Sequence, residues 1–244
     1  MFKKSFRLVF ISFLFLSNIT FAQKQTSDSS KPLITAKEMI APGILIGTGM
    51  VFINNSTKAE QKEWHTKYLS SFRTHADDYL QFTPQAAAMG LSLVGIKGKN
   101  TFVDKGGIIV LGTGIMLGTV FGLKKLTNIT RPDDSSSDSF PSGHTANAFF
   151  GATVLATEYG DQSVWYTIGG YTVATATGTF RMLNNRHWLS DVLVGAGIGI
   201  LSAKASYIIY PWIKKQIAPK LPSNVSFVPV YNGYAVTGNL TIGF

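Results

Sequence analysis

Residues 106–123, GGIIVLGTGIMLGTVFGL, run for 18 positions without a charge. That is near the lower limit for a helix that crosses a bilayer. Gly114, Gly118 and Gly122 recur at every fourth position and therefore share one helical face, where small residues let a second helix approach closely. Three later segments repeat the theme. Residues 145–157 carry Ala148, Ala152 and Ala156; residues 163–180 are uncharged and rich in Thr and Gly; residues 187–213 carry Gly195 and Gly199 and are expected to end at Pro211. Four such segments in succession predict an all-α fold, an up-and-down bundle of closely packed helices.

The flanks read differently. Residues 1–22 have a basic start (Lys3, Lys4, Arg7), an apolar stretch from Leu8 to Leu16 and the small–x–small end Thr20-Phe21-Ala22, the pattern of a secretory signal peptide. Residues 23–35 are polar and read as a linker. Residues 39–54 are a short apolar stretch, residues 56–80 read as one amphipathic helix with scattered aromatics, and residues 82–95 are mildly apolar after Pro84. The helical domain is thus expected over 36–213. In the tail, 214–244, two alternating runs flank Asn232-Gly233, a strong hairpin signal. A small β-hairpin is expected there. Phe244 ends the chain as outer-membrane barrels end, but one hairpin cannot close a barrel.

Composition narrows the chemistry. Of the 244 residues, 45% are hydrophobic and only 14% charged, where soluble domains carry about 25%, so a membrane is indicated. The net charge is +9, with 22 basic and 13 acidic residues. Setting aside Lys3, Lys4 and Arg7 leaves +6, which suits an anionic partner. No long Lys/Arg run and no zinc-finger or RNA-binding motif is present, so nucleic acid is not expected. The absence of cysteine excludes disulfides, thiolate metal sites and cysteine nucleophiles.

Three blocks carry the reactive side chains: Lys124 with Arg131-Pro132; Pro141-Ser142-Gly143-His144; and Arg181, His187 and Asp191. The first follows the end of one apolar segment, the second opens the next, and the third bridges the last two. In an up-and-down bundle the end of one helix and the start of its successor share a face, so connectivity gathers all three blocks at one end. Lys124, Arg131 and Arg181 would repel one another unless an anion sat among them, and the planar guanidinium fork matches phosphate oxygens. Ser142 and Gly143 lie where a loop enters a helix, whose free N–H groups and dipole favour an anion. His187 and Asp191 are four apart and so neighbours on one helical face. A carboxylate there fixes the imidazole tautomer and leaves the other nitrogen a better nucleophile or base. His144 has no such partner in its own block, which suits a proton donor. With three cations to stabilise the transferring group, neither a metal nor another cofactor is expected.

Each block alone has a plainer explanation. PSGH makes a turn and a helix start, a His-x-x-x-Asp pair caps or decorates a surface, and basic residues beside apolar helices mark membrane interfaces. Their combination, in this order at these helix ends, does not. Together they resemble the signature of the type 2 phosphatidic acid phosphatase and vanadium haloperoxidase superfamily, KxxxxxxRP, then PSGH, then SRxxxxxHxxxD. The resemblance covers roughly residues 105–200 and departs at Phe180, where the pattern has Ser. It implies a helical bundle, His187 as nucleophile, His144 as general acid, and phosphate bound by Lys124, Arg131, Ser142, Gly143 and Arg181. Other polar residues rank lower: His65 and His75 read as surface residues, adjacent Asp77 and Asp78 should diverge on a helix, and Asp133, Asp134 and Asp138 read as a solvated loop that could shape the site's mouth.

The reaction expected is hydrolysis of a phosphate monoester or pyrophosphate through a phosphohistidine. The expected substrate is an envelope lipid such as phosphatidate, polyprenyl pyrophosphate or lipid A. A soluble periplasmic acid phosphatase of broad specificity and a vanadate-dependent haloperoxidase are the alternatives. If the chain starts outside, segment 39–54 enters and 106–123 returns, the site faces outward, toward the periplasm; Gln81, Pro84 and Gln85 argue against a further span between them.

Overall fold

A computed structural model describes residues 36–217, 225–231 and 236–242. The signal peptide and linker expected over 1–35 lie outside the described residues. Eight helices follow in order: α1 Ala36–Val51, α2 Asn55–Tyr68, α3 Ala76–Leu80, α4 Thr83–Leu93, α5 Phe102–Thr127, α6 Gly143–Tyr159, α7 Val164–Leu183 and α8 Leu189–Ile217. The helices up to Tyr207 form one compact unit and the residues from Ile208 a second. In the second, β1 Val225–Tyr231 and β2 Val236–Ile242 pair antiparallel, with Val225 opposite Ile242 and Tyr231 opposite Val236. The connecting residues, Asn232-Gly233 among them, lie outside the described residues.

Helix α6 is buried around almost its whole circumference from Thr145 to Leu155, as a central helix must be. The core joins Ala148, Phe149 and Ala152 of α6 to Tyr171 and Ala174 of α7 and to Leu189, Val192, Leu193, Ala196 and Ile200 of α8. Close approach depends on glycine in α8: a Cβ on Gly195 would lie 2.5 Å from the Ser142 carbonyl oxygen, and one on Gly199 2.2 Å from that of Ala146. At the far end of the bundle, buried Lys105 meets the Tyr159 hydroxyl at 2.6 Å, Ser92 Oγ at 2.7 Å and Glu158 at 3.6 Å.

Several expectations are corrected. In α5 the packed face is Ile108, Gly112, Met116 and Val120, not the Gly114 stripe; a Cβ at Gly114, Gly118 or Gly122 meets nothing within 4 Å. Spacing reveals that a face is smooth but not what covers it, and the Phe150 ring sits against Gly112 instead, 2.4 Å from where its Cβ would stand. The helix expected over 56–80 is two, because residues 69–75 break away. Asn184, the cap of α7, holds Thr74 through both its N–H (2.9 Å) and its carbonyl (2.8 Å). Helix α8 continues through Pro211 to Ile217. The segments long and apolar enough to cross a membrane are Phe102–Thr127 and Leu189–Ile217, with α1 and α2 forming a further pair bent by 88°. Helix α7, expected from 163–180, does not qualify: it has the length, but its threonines and glycines dilute its hydropathy. Helix α5 also leaves Val103, Val110 and Leu126 exposed, each at least 74% accessible, as suits a membrane-embedded helix.

Candidate active site

The three sequence blocks meet at one end of the bundle, tied by hydrogen bonds to backbone carbonyls. The Trp188 indole N–H donates to the Thr130 carbonyl at 2.8 Å, joining the third block to the first. The Ser142 N–H donates to the Asp191 carbonyl at 3.0 Å, joining the second to the third. Ser142 is therefore not fully free to bind an anion. Its Oγ caps α6, accepting from the Thr145 N–H at 3.4 Å. The N–H groups of Gly143 and His144, which open the helix, have no intrahelical acceptor by construction.

The cations are not bare, as the sequence alone suggested. Lys124, in the last turn of α5, donates to the Asp138 carbonyl and lies 4.0 Å from its carboxylate; Arg131 lies 3.1 Å from the same carboxylate. Arg181, in the last turn of α7, pairs with buried Asp77 at 2.7 Å. Yet the Nε–H groups of Arg131 and Arg181 are buried with no acceptor among the described residues. A buried, unpaired charged donor is costly. The 133–138 loop is largely exposed, as expected, and its acids are ion-paired: besides Asp138, Asp133 pairs with Arg186 and Asp134 with Lys62, each at 2.9 Å.

His187 and Asp191 are both buried, with Nδ1 3.4 Å from the carboxylate. That contact assigns the proton to Nδ1 and leaves Nε2 with its lone pair. The same carboxylate accepts from Ser139 Oγ and, at 2.9 Å, from the Trp188 N–H. Burial, reinforced by the nearby Arg181 and Lys124 charges and opposed by Asp191, pushes the His187 pKa down to about 4. The ring is thus neutral, as a nucleophile must be. Gln61 of α2 flanks it, donating to the His187 carbonyl and accepting from the Leu189 N–H, both at 2.9 Å. His65, expected at the surface, is buried, its Nε2 3.0 Å from the Leu183 carbonyl.

His144 does have a carboxylate partner, supplied from outside its block: its Nε2 lies 3.0 Å from Asp78 Oδ1. Burial and the Arg181 charge lower the His144 pKa, against the opposing pull of Asp78 and Asp77. Asp77 and Asp78 do diverge on α3 as adjacent helical residues should, but both diverge into the site. Their pairing is visible in sequence only as two adjacent acids ahead of the apolar segments. Asp77, Asp78 and His144 bring ligand atoms within 4.8 Å of one another. The Arg181 guanidinium, 2.7 Å from Asp77 and 3.9 Å from Asp78, puts a fixed positive charge where a metal ion would bind, so the trio reads as an ion-pair network.

This arrangement agrees with what known proteins share with the chain. Residues 105–215 match the PAP2 superfamily. A lipid A 1-phosphatase of Porphyromonas gingivalis is 44% identical over 150 residues, which are 60% of this chain and 32% of that protein; the chain therefore spans about a third of the relative it matches. A transmembrane PAP2-type phosphatidylglycerolphosphate phosphatase of Bacillus subtilis aligns over 74% of this chain and 97% of its own, with 18% identity and a TM-score of 0.42. Every residue of the three blocks falls inside the segment that matches the PAP2 superfamily.

Proposed function

We propose that this protein is a lipid phosphatase that transfers phosphate from its substrate to His187 and then to water. One observation carries the reading: the guanidinium groups of Arg131 and Arg181 each keep a buried N–H without an acceptor, in the same blocks as the buried, neutral His187 and its partner Asp191. Such donors fit the equatorial oxygens of a phosphoryl group in transfer. Lys124, Arg131, Arg181 and the N–H groups around Ser142 and Gly143 hold the phosphate; His187 Nε2 attacks, oriented by Asp191; His144 protonates the leaving oxygen.

A phosphorylated envelope lipid is the proposed substrate, supported by two spanning-length helices and by the lipid A phosphatase relative. Lipid A is the first candidate, ahead of phosphatidate and polyprenyl pyrophosphate. The chain is proposed to be exported by residues 1–22 with its site toward the periplasm. The catalytic domain is proposed to span 36–213, followed by a hairpin-bearing tail over 214–244. The test is rapid-quench trapping with labelled substrate. Acid-labile label should map to His187 and vanish in His187→Ala; label on His144, or on neither histidine, overturns the reading. A phosphate-release screen over lipid A, phosphatidate, undecaprenyl pyrophosphate and an aryl phosphate ranks the substrates.

A further inference from the structure

The site holds two imidazole–carboxylate pairs of opposite character. His187–Asp191 is dry. His144–Asp78 stands at the mouth, with the Asp78 side chain 46% exposed. Asp78 comes from α3, outside the segment that matches the superfamily. Its placement is enforced by its neighbour: Asp77 is locked inward by Arg181 at 2.7 Å and Asn184 at 3.0 Å, so the next residue of the short helix must point toward α6.

We propose that Asp78 is the positioning residue of the general acid, accepting the Nε2–H of His144 so that the charged ring is favoured and its Nδ1–H directed at the leaving oxygen. This rests on the assignment of His144 as the acid. The groups facing His144 are Asp77 and Asp78 from α3 and Arg181 from α7; His75, just before α3, contacts Asp78 at 3.3 Å. Arg181 cancels the nearer carboxylate, Asp77, by pairing with it. Asp78, 3.0 Å from His144 against 3.9 Å from Arg181 and 3.3 Å from His75, is then the carboxylate that supports the His144 charge most directly. Removing it leaves a half-buried imidazole beside a guanidinium, an environment that strips its proton.

The step balances. As the bond from His187 Nε2 to phosphorus forms, the bond to the leaving oxygen breaks, its electron pair stays on oxygen, and the Nδ1 proton of His144 goes to it. His144 becomes neutral, still held by Asp78 through Nε2–H. Water then attacks phosphorus and returns a proton to Nδ1. The P–N bond breaks with its electrons on His187, releasing phosphate and restoring the charged pair.

The experiment compares an alkyl phosphate with nitrophenyl phosphate, whose leaving group needs little protonation. In Asp78→Asn, kcat/KM for the alkyl ester should fall about tenfold at neutral pH. Its basic limb should move down by roughly half a unit to one unit. The loss with nitrophenyl phosphate should be several-fold smaller. Asp78→Glu, which keeps the charge, should recover the basic limb. In a His144→Ala background, Asp78→Asn should cost nothing further. Equal losses on both esters, or an unmoved pH limb, overturn the assignment of Asp78. If instead His144→Ala itself harms both esters equally, the assignment of the acid fails, and with it this inference.

Discussion

Replacing glycine by alanine separates helix contacts that hold the site from those the sequence only suggests. A Cβ at Gly195 would stand 2.5 Å from the Ser142 oxygen. A carbon–oxygen contact needs about 3.3 Å, so Ser142 or α8 must yield by roughly 0.8 Å, and Ser142 caps the helix whose N-terminus opens the proposed phosphate cradle. At Gly199 the required shift is about 1 Å, since the oxygen of Ala146 lies 2.2 Å away. Overpacking of this kind costs about 1–3 kcal/mol, against a gain of about 1 kcal/mol from alanine's helix propensity. Gly114, Gly118 and Gly122 have open space at the Cβ position and take the gain alone. Thermal unfolding of the purified full chain in detergent should therefore place Gly195→Ala and Gly199→Ala about 1–3 kcal/mol below the α5 variants, or roughly 2–4 °C per kcal/mol. Activity should split further. A displacement near 1 Å at the cradle costs on the order of a hundredfold in kcat/KM, so Gly195→Ala should be much less active than Gly199→Ala, one turn away. If Gly195→Ala keeps the melting temperature and turnover of Gly118→Ala, the packing argument is wrong.

Arg131→Lys and Arg181→Lys should each lower kcat/KM at least tenfold, because the orphaned Nε–H belongs to a guanidinium and lysine cannot supply it; near-normal turnover in both would sink the bidentate cradle. Phosphate release should persist in EDTA, and activity lost there and restored by magnesium or zinc would contradict the side-chain cation mechanism. The rate should depend on pH with an acid limb of kcat/KM near 4, where His187 takes a proton, and a basic limb below 6.5, where free His144 loses one. The bound phosphate's charge should move the basic limb of kcat upward. Stability should follow the same histidine. The unfolded chain protonates His187 near 6.5 and the folded chain only near 4, so stability is full above that window. About 3 kcal/mol is lost as pH falls through it. An unfolding curve flat between pH 7 and 4 would deny the burial of a neutral ring.

Much of the site was legible because its chemistry is local. His187 and Asp191 meet by helical spacing, Ser142 caps a helix it precedes, and connectivity alone gathers Lys124, Arg131 and Arg181 at one end of a helical bundle. What the sequence could not reveal were contacts between distant segments. Nothing near His144 announces Asp78, 66 positions away; nothing near His187 announces Gln61, 126 positions away. Both come from helices whose own patterns are unremarkably polar. The same limit explains the misread helix over 56–80, whose break is held by Asn184, 110 positions from Thr74, and the Gly114 stripe, whose spacing is real but which meets nothing within 4 Å. Periodicity along one chain determines which residues share a face. Only the folded packing decides which faces meet, because burial and ion pairing depend on what the opposing element presents.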